Sequence, residues 1–254
     1  MAAGIGDAAA GRLIGLGMGP GDPELITLKA ARLLASLPVI AHIHAETPEA
    51  GAAGPASGAE AGLARGIAGD LIRADATLIA IAMPMREDRA AGAAAYDAGA
   101  ARIAGHLAEG HDVGVLCEGD PLTFGSFMYL AARLSGRFRI EVVPGITSMT
   151  AAAARLVLPL AARTDSLAII PATLPEAELA RRLDAADGAA FLKIGRHLAK
   201  LRRVLTAAGL ADHAWYVEHA TRPEERILKL SMLADDTAPY FSLILVHRRG
   251  EATR

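Results

Sequence analysis

The stretch GLGMGPGDP, Gly15 to Pro23, lies between an apolar strand-like run at Arg12–Leu16 and a helix-like run from about Glu24 to Ser36. Glycines at such a junction let the chain turn sharply and let a ligand approach the backbone closely, and the following helix start favours an anion. Two familiar phosphate loops fail on spacing. A G-x-G-x-x-G fingerprint begun at Gly15 meets Pro20 at its sixth place, and begun at Gly17 it meets Asp22. No G-K-[ST] follows, and Lys29 is too far along the chain for a P-loop. The ordinary alternative is a tight strand–helix turn with Asp22 as an N-cap and Pro23 in the first turn.

The same alternation continues outward. Strands are expected at Val39–Ile43, Thr77–Ala82, Asp112–Cys117 and Phe138–Val143, with helices at Arg89–Gly110 and Gly125–Leu134. In the first helix Leu25, Leu28 and Ala31 or Arg32 are spaced to face inward; in the second, Tyr96, Ala100, Ile103 and Leu107 are. Ala45–Asp70 is rich in Ala, Gly, Pro and Ser and reads as an irregular excursion ending in a short helix, a candidate lid. After Pro144-Gly145 the texture changes. Helices at Ser148–Leu156, Pro175–Ala186 and Arg196–Ala208 fall among strands at Ser166–Ile170, Ala190–Ile194, Ala214–Glu218, Glu225–Leu230 and Tyr240–Val246. Late strands without intervening helices predict a mixed sheet. The expectation is an α/β protein of two α/β domains, 1–145 with a mostly parallel sheet and 146–254 with a mixed one, and a cleft between them as the ligand site.

Composition narrows the class. The 254 residues are 52% hydrophobic and 21% charged, with net charge −2, which excludes a disordered chain and lacks the basic excess of a nucleic-acid binder. No run of about 18 apolar residues is present to span a bilayer, and the first ten residues do not read as a secretory signal. The single cysteine, Cys117, excludes an internal disulfide and a multi-cysteine metal site and points to a reducing, cytoplasmic compartment.

Two further segments repeat the strand–turn–helix theme. In CEGDPLTFGSF, Cys117 to Phe127, Gly119-Asp120-Pro121 turns the chain at the carboxyl end of a strand, where α/β sheets bind ligands. Asp120 there either accepts hydrogen bonds from a ligand or caps its own turn. In VVPGITSMTAAAA, Val142 to Ala154, Thr147, Ser148 and Thr150 offer hydroxyls at a helix start, with capping as the plain alternative.

Taken together, the three segments resemble the tetrapyrrole (corrin/porphyrin) methylase family, whose members carry a GxGPGDPxLLTLKA opening, a GDP loop and a VPG(I/V)(T/S)S segment. Here these stand at Gly17–Ala30, Gly119–Pro121 and Val143–Ser148, and the likeness runs from Arg12 to Val246. Cys117–Leu130, Pro171–Leu183, Leu192–His197 and Pro239–Val246 are most similar to the branch that methylates precorrin-2 at C20. The resemblance implies a two-domain enzyme, usually a homodimer, that moves a methyl group from S-adenosylmethionine to precorrin-2 in cobalamin biosynthesis. It also implies that Pro20, Gly21, Glu118 (through its backbone), Gly119, Asp120, Thr123, Thr147 and Ser148 line the cofactor, with Lys193 and Ala220 at further cofactor-lining positions.

Such a reaction asks for positioning and exclusion of water, since the sulfonium brings its own leaving group. It needs neither a metal nor a covalent nucleophile, and no catalytic residue is assigned. In the related uroporphyrinogen methylases an aspartate near the end of the second strand acts as a base. The equivalent Pro38–His44 has no carboxylate; His42 and His44 share one strand face there and make a poor metal pair without a third ligand. Arg196, Lys200, Arg202 and Arg203, the pair Arg86 and Arg89, and Arg163 are candidates for a basic rim toward a polycarboxylate, or else a solvated face. Met83 and Met85 either touch a flat substrate or pack the core. The competing readings are a cobalt-factor II methyltransferase, a ribosomal RNA methylase of the same family, a non-catalytic ligand-binding protein and, last, a nicotinamide oxidoreductase.

Overall fold

The computed structural model describes residues 10–46, 62–84 and 89–249. Most of the excursion after the second strand (47–61), Met85 and Arg86 lie outside the described residues. The chain forms two units, one through Thr147 and one from Ser148.

The first unit is a sheet of five parallel strands: β1 (Arg12–Gly17), β2 (Val39–Ala45), β3 (Thr77–Met83), β4 (Val113–Cys117) and β5 (Arg139–Val143). They lie in the order β3-β2-β4-β1-β5. Alternation along each strand divides the core. Leu13, Val39, Ala41, Val113 and Val115 pack against α3 (Arg89–Ala108) and α4 (Phe127–Leu134). Ile14, Leu16, Ile40 and Leu116 pack on the opposite face against α1 (Leu28–Leu34) and α2 (Leu63–Ala68). Arg12 anchors the amino-terminal edge, bonding Asp112 at 2.6 Å and Glu141 at 3.0 Å.

The second unit is a mixed sheet in the order β6-β7-β10-β8-β9, built from β6 (Leu167–Pro171), β7 (Gly188–Leu192), β8 (Ala214–Glu218), β9 (Arg226–Lys229) and β10 (Ser242–His247). Only the β6–β7 pair is parallel. Helices α6 (Glu176–Asp184) and α7 (Leu198–Ala207) cover one face, and α5 (Ser148–Leu156) covers the other.

The helix expected over Glu24–Ser36 is two pieces, a 3-10 turn at Pro23–Leu25 and then α1. Two caps compete. Asp22 accepts from the Glu24 amide, and Thr27 accepts from the Ala30 amide, so the chain restarts its helix at Leu28. Leu28 is consequently 84% exposed rather than facing inward, and Ala30 and Leu34 are buried instead. Strand β7 ends at Leu192, two residues before the expected Ile194, because Lys193 takes a left-handed φ of 57°. Strand β10 begins at Ser242, which leaves Tyr240 and Phe241 exposed.

Candidate active site

The two central strands, β4 and β1, send the chain in opposite directions. From β1 it crosses to β2 on the α1 side, and from β4 it crosses to β5 on the α4 side. Their carboxyl ends therefore form the topological switch point of the sheet, where parallel α/β sheets hold ligands. All three glycine segments arrive there.

Their backbones lock together. Met18 donates to the Cys117 carbonyl at 2.9 Å, Gly119 donates to Gly19 at 2.8 Å and Gly19 donates back at 3.3 Å. A Cβ on Gly145 would stand 2.0 Å from the Gly119 carbonyl oxygen and 2.8 Å from Gly17 Cα, so main chain occupies the space of any side chain. Gly19 and Gly119 hold φ of 74° and 63°, where glycine carries no Cβ penalty.

Asp120 holds this knot closed. Its Oδ2 accepts from the Gly145 amide at 3.0 Å, while Oδ1 accepts from the Leu122 amide at 2.9 Å and the Thr123 hydroxyl at 3.3 Å. The carboxylate thus caps its own turn and ties down the third segment. Glu118 does more than lend its backbone, since its Oε1 accepts from the Ala64 amide at the start of α2, 3.2 Å away. Desolvation of its carboxyl raises its pKa, while the residue as a whole stays exposed. Cys117 is buried and burial pushes its thiol pKa up, so it is no nucleophile. Pro20, Gly21, Gly119, Asp120, Thr123 and Thr147 are all half-buried on this one set of loops.

Ser148, Lys193 and Ala220 belong to the second unit. Strands β7 and β8 both run antiparallel to β10, so Lys193 and Ala220 leave the same end of that sheet on either side of the β10 start. Non-glycine residues with left-handed backbone cluster at this end: Lys193 at 57°, His219 at 48° and Thr221 at 69°. Each such residue costs roughly 1–3 kcal/mol and is tolerated where surrounding structure enforces it, often at ligand sites. Ala220 is buried in the apolar cluster that α5, headed by Ser148, covers.

The family model for Tetrapyrrole (Corrin/Porphyrin) Methylases matches residues 12–234. The chain belongs to this family. A precorrin-2 C(20)-methyltransferase from Sinorhizobium sp is 42% identical over 244 residues, covering 93% of this chain and 95% of the relative. A cobalt-precorrin-2 C(20)-methyltransferase from Salmonella typhimurium is 35% identical, covering 95% and 98%. Among solved structures, a cobalt precorrin-4 methyltransferase superposes with TM-score 0.69 at 23% identity, covering 94% of this chain and 96% of that one. A uroporphyrin-III C-methyl transferase from Thermus thermophilus, complexed with S-adenyl homocysteine, gives 0.61 at 23% identity, covering 93% and 97%. These structural likenesses establish the tetrapyrrole methylase fold.

In this tetrapyrrole methylase His42 is 2% exposed, and among the described residues its Nδ1 meets no hydrogen-bond partner. Burial first, then the charges of Arg65 and His44, lower its pKa to about 4. Its ring lies 6.0 Å from that of His44, as expected for alternate residues on one strand face. The proposed basic rim is mostly occupied locally. Lys200 bonds the Leu174 carbonyl at 2.6 Å, Arg202 bonds Asp236 at 3.2 Å and Arg203 bonds Glu176 at 2.8 Å. Arg163 is exposed and Met83 is half-buried. No described helix is long and apolar enough to cross a membrane.

Proposed function

We propose that this tetrapyrrole methylase transfers a methyl group from S-adenosylmethionine to C20 of precorrin-2, giving precorrin-3A in cobalamin biosynthesis. The observation that carries the substrate is 42% identity, over nearly the whole of both chains, to a relative named for that reaction. The observation that supports a cofactor at the glycine loops is their convergence on the switch point of the sheet. In this reading 1–145 and 146–254 are its two domains. Pro20, Gly21, Glu118, Gly119, Asp120, Thr123 and Thr147 line the donor from the first unit, and Ser148, Lys193 and Ala220 do so from the second.

S-adenosylmethionine supplies an electrophilic methyl on a sulfonium that leaves as a neutral thioether. A C–C bond forms at C20 as the C–S bond breaks, its electron pair stays on sulfur, and the ring system releases one proton. The chain has only to hold the acceptor carbon in line and keep water away. The interlocked glycine backbones suit that task because they are rigid before ligand arrives. Asp120 acts chiefly by fixing the loop that meets the donor. The protein works as a homodimer in the cytoplasm.

Anaerobic incubation of the pure protein with S-adenosylmethionine and, separately, precorrin-2 or cobalt-factor II tests this reading by product mass. One added methyl on the metal-free ring is expected. A gain on the cobalt ring alone would move the enzyme to the cobalt-first route. Bound S-adenosylmethionine with no gain on either ring would overturn the reading in favour of a non-catalytic protein. Sedimentation at twice the chain mass checks the dimer.

A further inference from the structure

The carboxyl end of α3 carries a group that the methyl-transfer reading does not use. The helix stops in H-L-A-E-G-H, His106 to His111. The Gly110 amide donates to the Leu107 carbonyl at 3.1 Å and the His111 amide to the His106 carbonyl at 3.0 Å, with Gly110 at φ 84°. This pair of bonds is a Schellman stop, a motif that brings the side chains at its third-last helical and second post-helical positions together, commonly as an apolar contact. Here both positions are histidine, and the residue at the cap between them is Glu109. One ligand atom from each of His106, Glu109 and His111 falls within 4.8 Å of the other two. The imidazole rings are 6.4 Å apart, and His111 Nδ1 lies 3.6 Å from the Glu109 carboxylate.

We propose that His106, Glu109 and His111 bind a divalent transition-metal ion of the zinc class at the carboxyl end of α3. Two imidazoles and one carboxylate suit a borderline-soft ion, and three protein ligands leave a position for water. Ligands at about 2.0–2.2 Å from a tetrahedral ion stand roughly 3.3–3.5 Å apart, so these donors must close by about an ångström. Side-chain rotation supplies that closure, since His111 and Glu109 are 50% and 67% exposed. The carboxyl end of the α3 dipole adds a favourable negative potential.

The backbone beneath the donors is already fixed. A Cβ on Gly11 would stand 2.0 Å from the His111 carbonyl oxygen, the Gly11 amide bonds the Leu107 carbonyl at 2.8 Å, and the next residue, Asp112, is clamped by Arg12. A rigid turn holds a three-ligand set without an ordering cost at the main chain. The site precedes β4, whereas Glu118 and Asp120 follow it. That five-residue strand spans about 17 Å. The ion therefore braces the α3–β4 turn and stays out of the methyl-transfer step.

Calorimetric titration of the tag-free, chelator-stripped full chain with Zn²⁺ tests the site. One ion per chain is expected, with no comparable heat from Mg²⁺. His106→Asn and His111→Asn should each weaken the affinity about tenfold or more, because a two-ligand remnant is a poor site. His213→Asn, in the second unit, should leave it unchanged. Zn²⁺ should also raise the melting temperature of the wild type and not that of the double variant. Unchanged affinity in the double variant, or no binding by the wild type, overturns the proposal. Should the variants fail to fold, Cu²⁺ added to the wild type gives an independent readout by NMR. Line broadening confined to 105–112 supports the site, and broadening centred elsewhere overturns it.

Discussion

Gly145 has no room for a methyl group. A Cβ there would meet the Gly119 carbonyl oxygen at 2.0 Å, and both partners are main chain, so relief requires one segment of the knot to move. Gly145→Ala should therefore cost about 4 kcal/mol or more in urea unfolding, the range reserved for a named steric failure. Gly136→Ala, with nothing within 4 Å of the added carbon, should stay within about 0.5 kcal/mol of wild type. Asp120 belongs to the same knot. Asp120→Ala removes the charged acceptor for the half-buried Gly145 amide and the exposed Leu122 amide and should lower stability by about 1–3 kcal/mol, the usual range for hydrogen bonds to a charged group. Its S-adenosylmethionine affinity should fall as well, by equilibrium dialysis on the folded fraction; wild-type affinity would leave Asp120 a brace only. The glycines and the aspartate are legible in the sequence as turn residues at strand ends. Their mutual contact is not, because Gly17, Gly119 and Gly145 meet across more than a hundred residues and no local pattern records a close approach. The histidine group at the end of α3 has a local signal that helical periodicity does not register: histidines five apart, flanking a glycine stop.

At the scale of elements, α1 shows how capping overrides periodicity. Leu25, Leu28 and Ala31 fit an inward stripe only if the helix begins at Glu24. Thr27 restarts it, and the stripe rotates to Ala30 and Leu34. Thr27→Ala should cost about 1 kcal/mol through the lost cap. Leu34→Ala should cost about 2–5 kcal/mol as a buried cavity, whereas Leu28→Lys should be within about 0.5 kcal/mol of neutral. Thermal melts of the three variants rank these directly, and a costly Leu28→Lys would contradict the restart. Both caps stood in the sequence; the weighing of one against the other did not. The strands were legible from alternation, and most are found within a residue or two of their expected bounds. Their order was not. Nothing local tells β4 to insert between β2 and β1, or the last strand to lie at the centre of the second sheet. Those placements are decided by which faces the helices cover.

Over the whole molecule, acid should unfold the protein in stages, and the first stage belongs to His42. Its folded pKa, about 4, lies below the unfolded value near 6.5. The unfolded chain thus binds more protons between those limits, so stability rises with pH there and is fully present only above the unfolded value. Lowering the pH from about 7.5 to about 5 should remove roughly 2 kcal/mol through this one group. Asp112 and Glu141 follow. Hydrogen bonds from Arg12 outweigh desolvation at Asp112, and Lys29 leads at Glu141, so both carboxyls are lowered and their contribution is lost only below the ordinary carboxylate range. Glu118 runs the other way. Its raised pKa favours the protonated carboxyl, so its contribution declines as pH rises from the unfolded carboxylate value through the raised one, which opposes His42 over part of the same window. His42→Asn separates the two, because it removes a buried imidazole that must stay neutral and leaves Glu118 in place. Urea midpoints across the range from about pH 7.5 to about pH 5 should fall steeply for wild type and much less for the variant. Parallel curves would mean that His42 titrates normally and that the strand carries a charged histidine at no cost, which its burial and an Nδ1 without a partner among the described residues argue against.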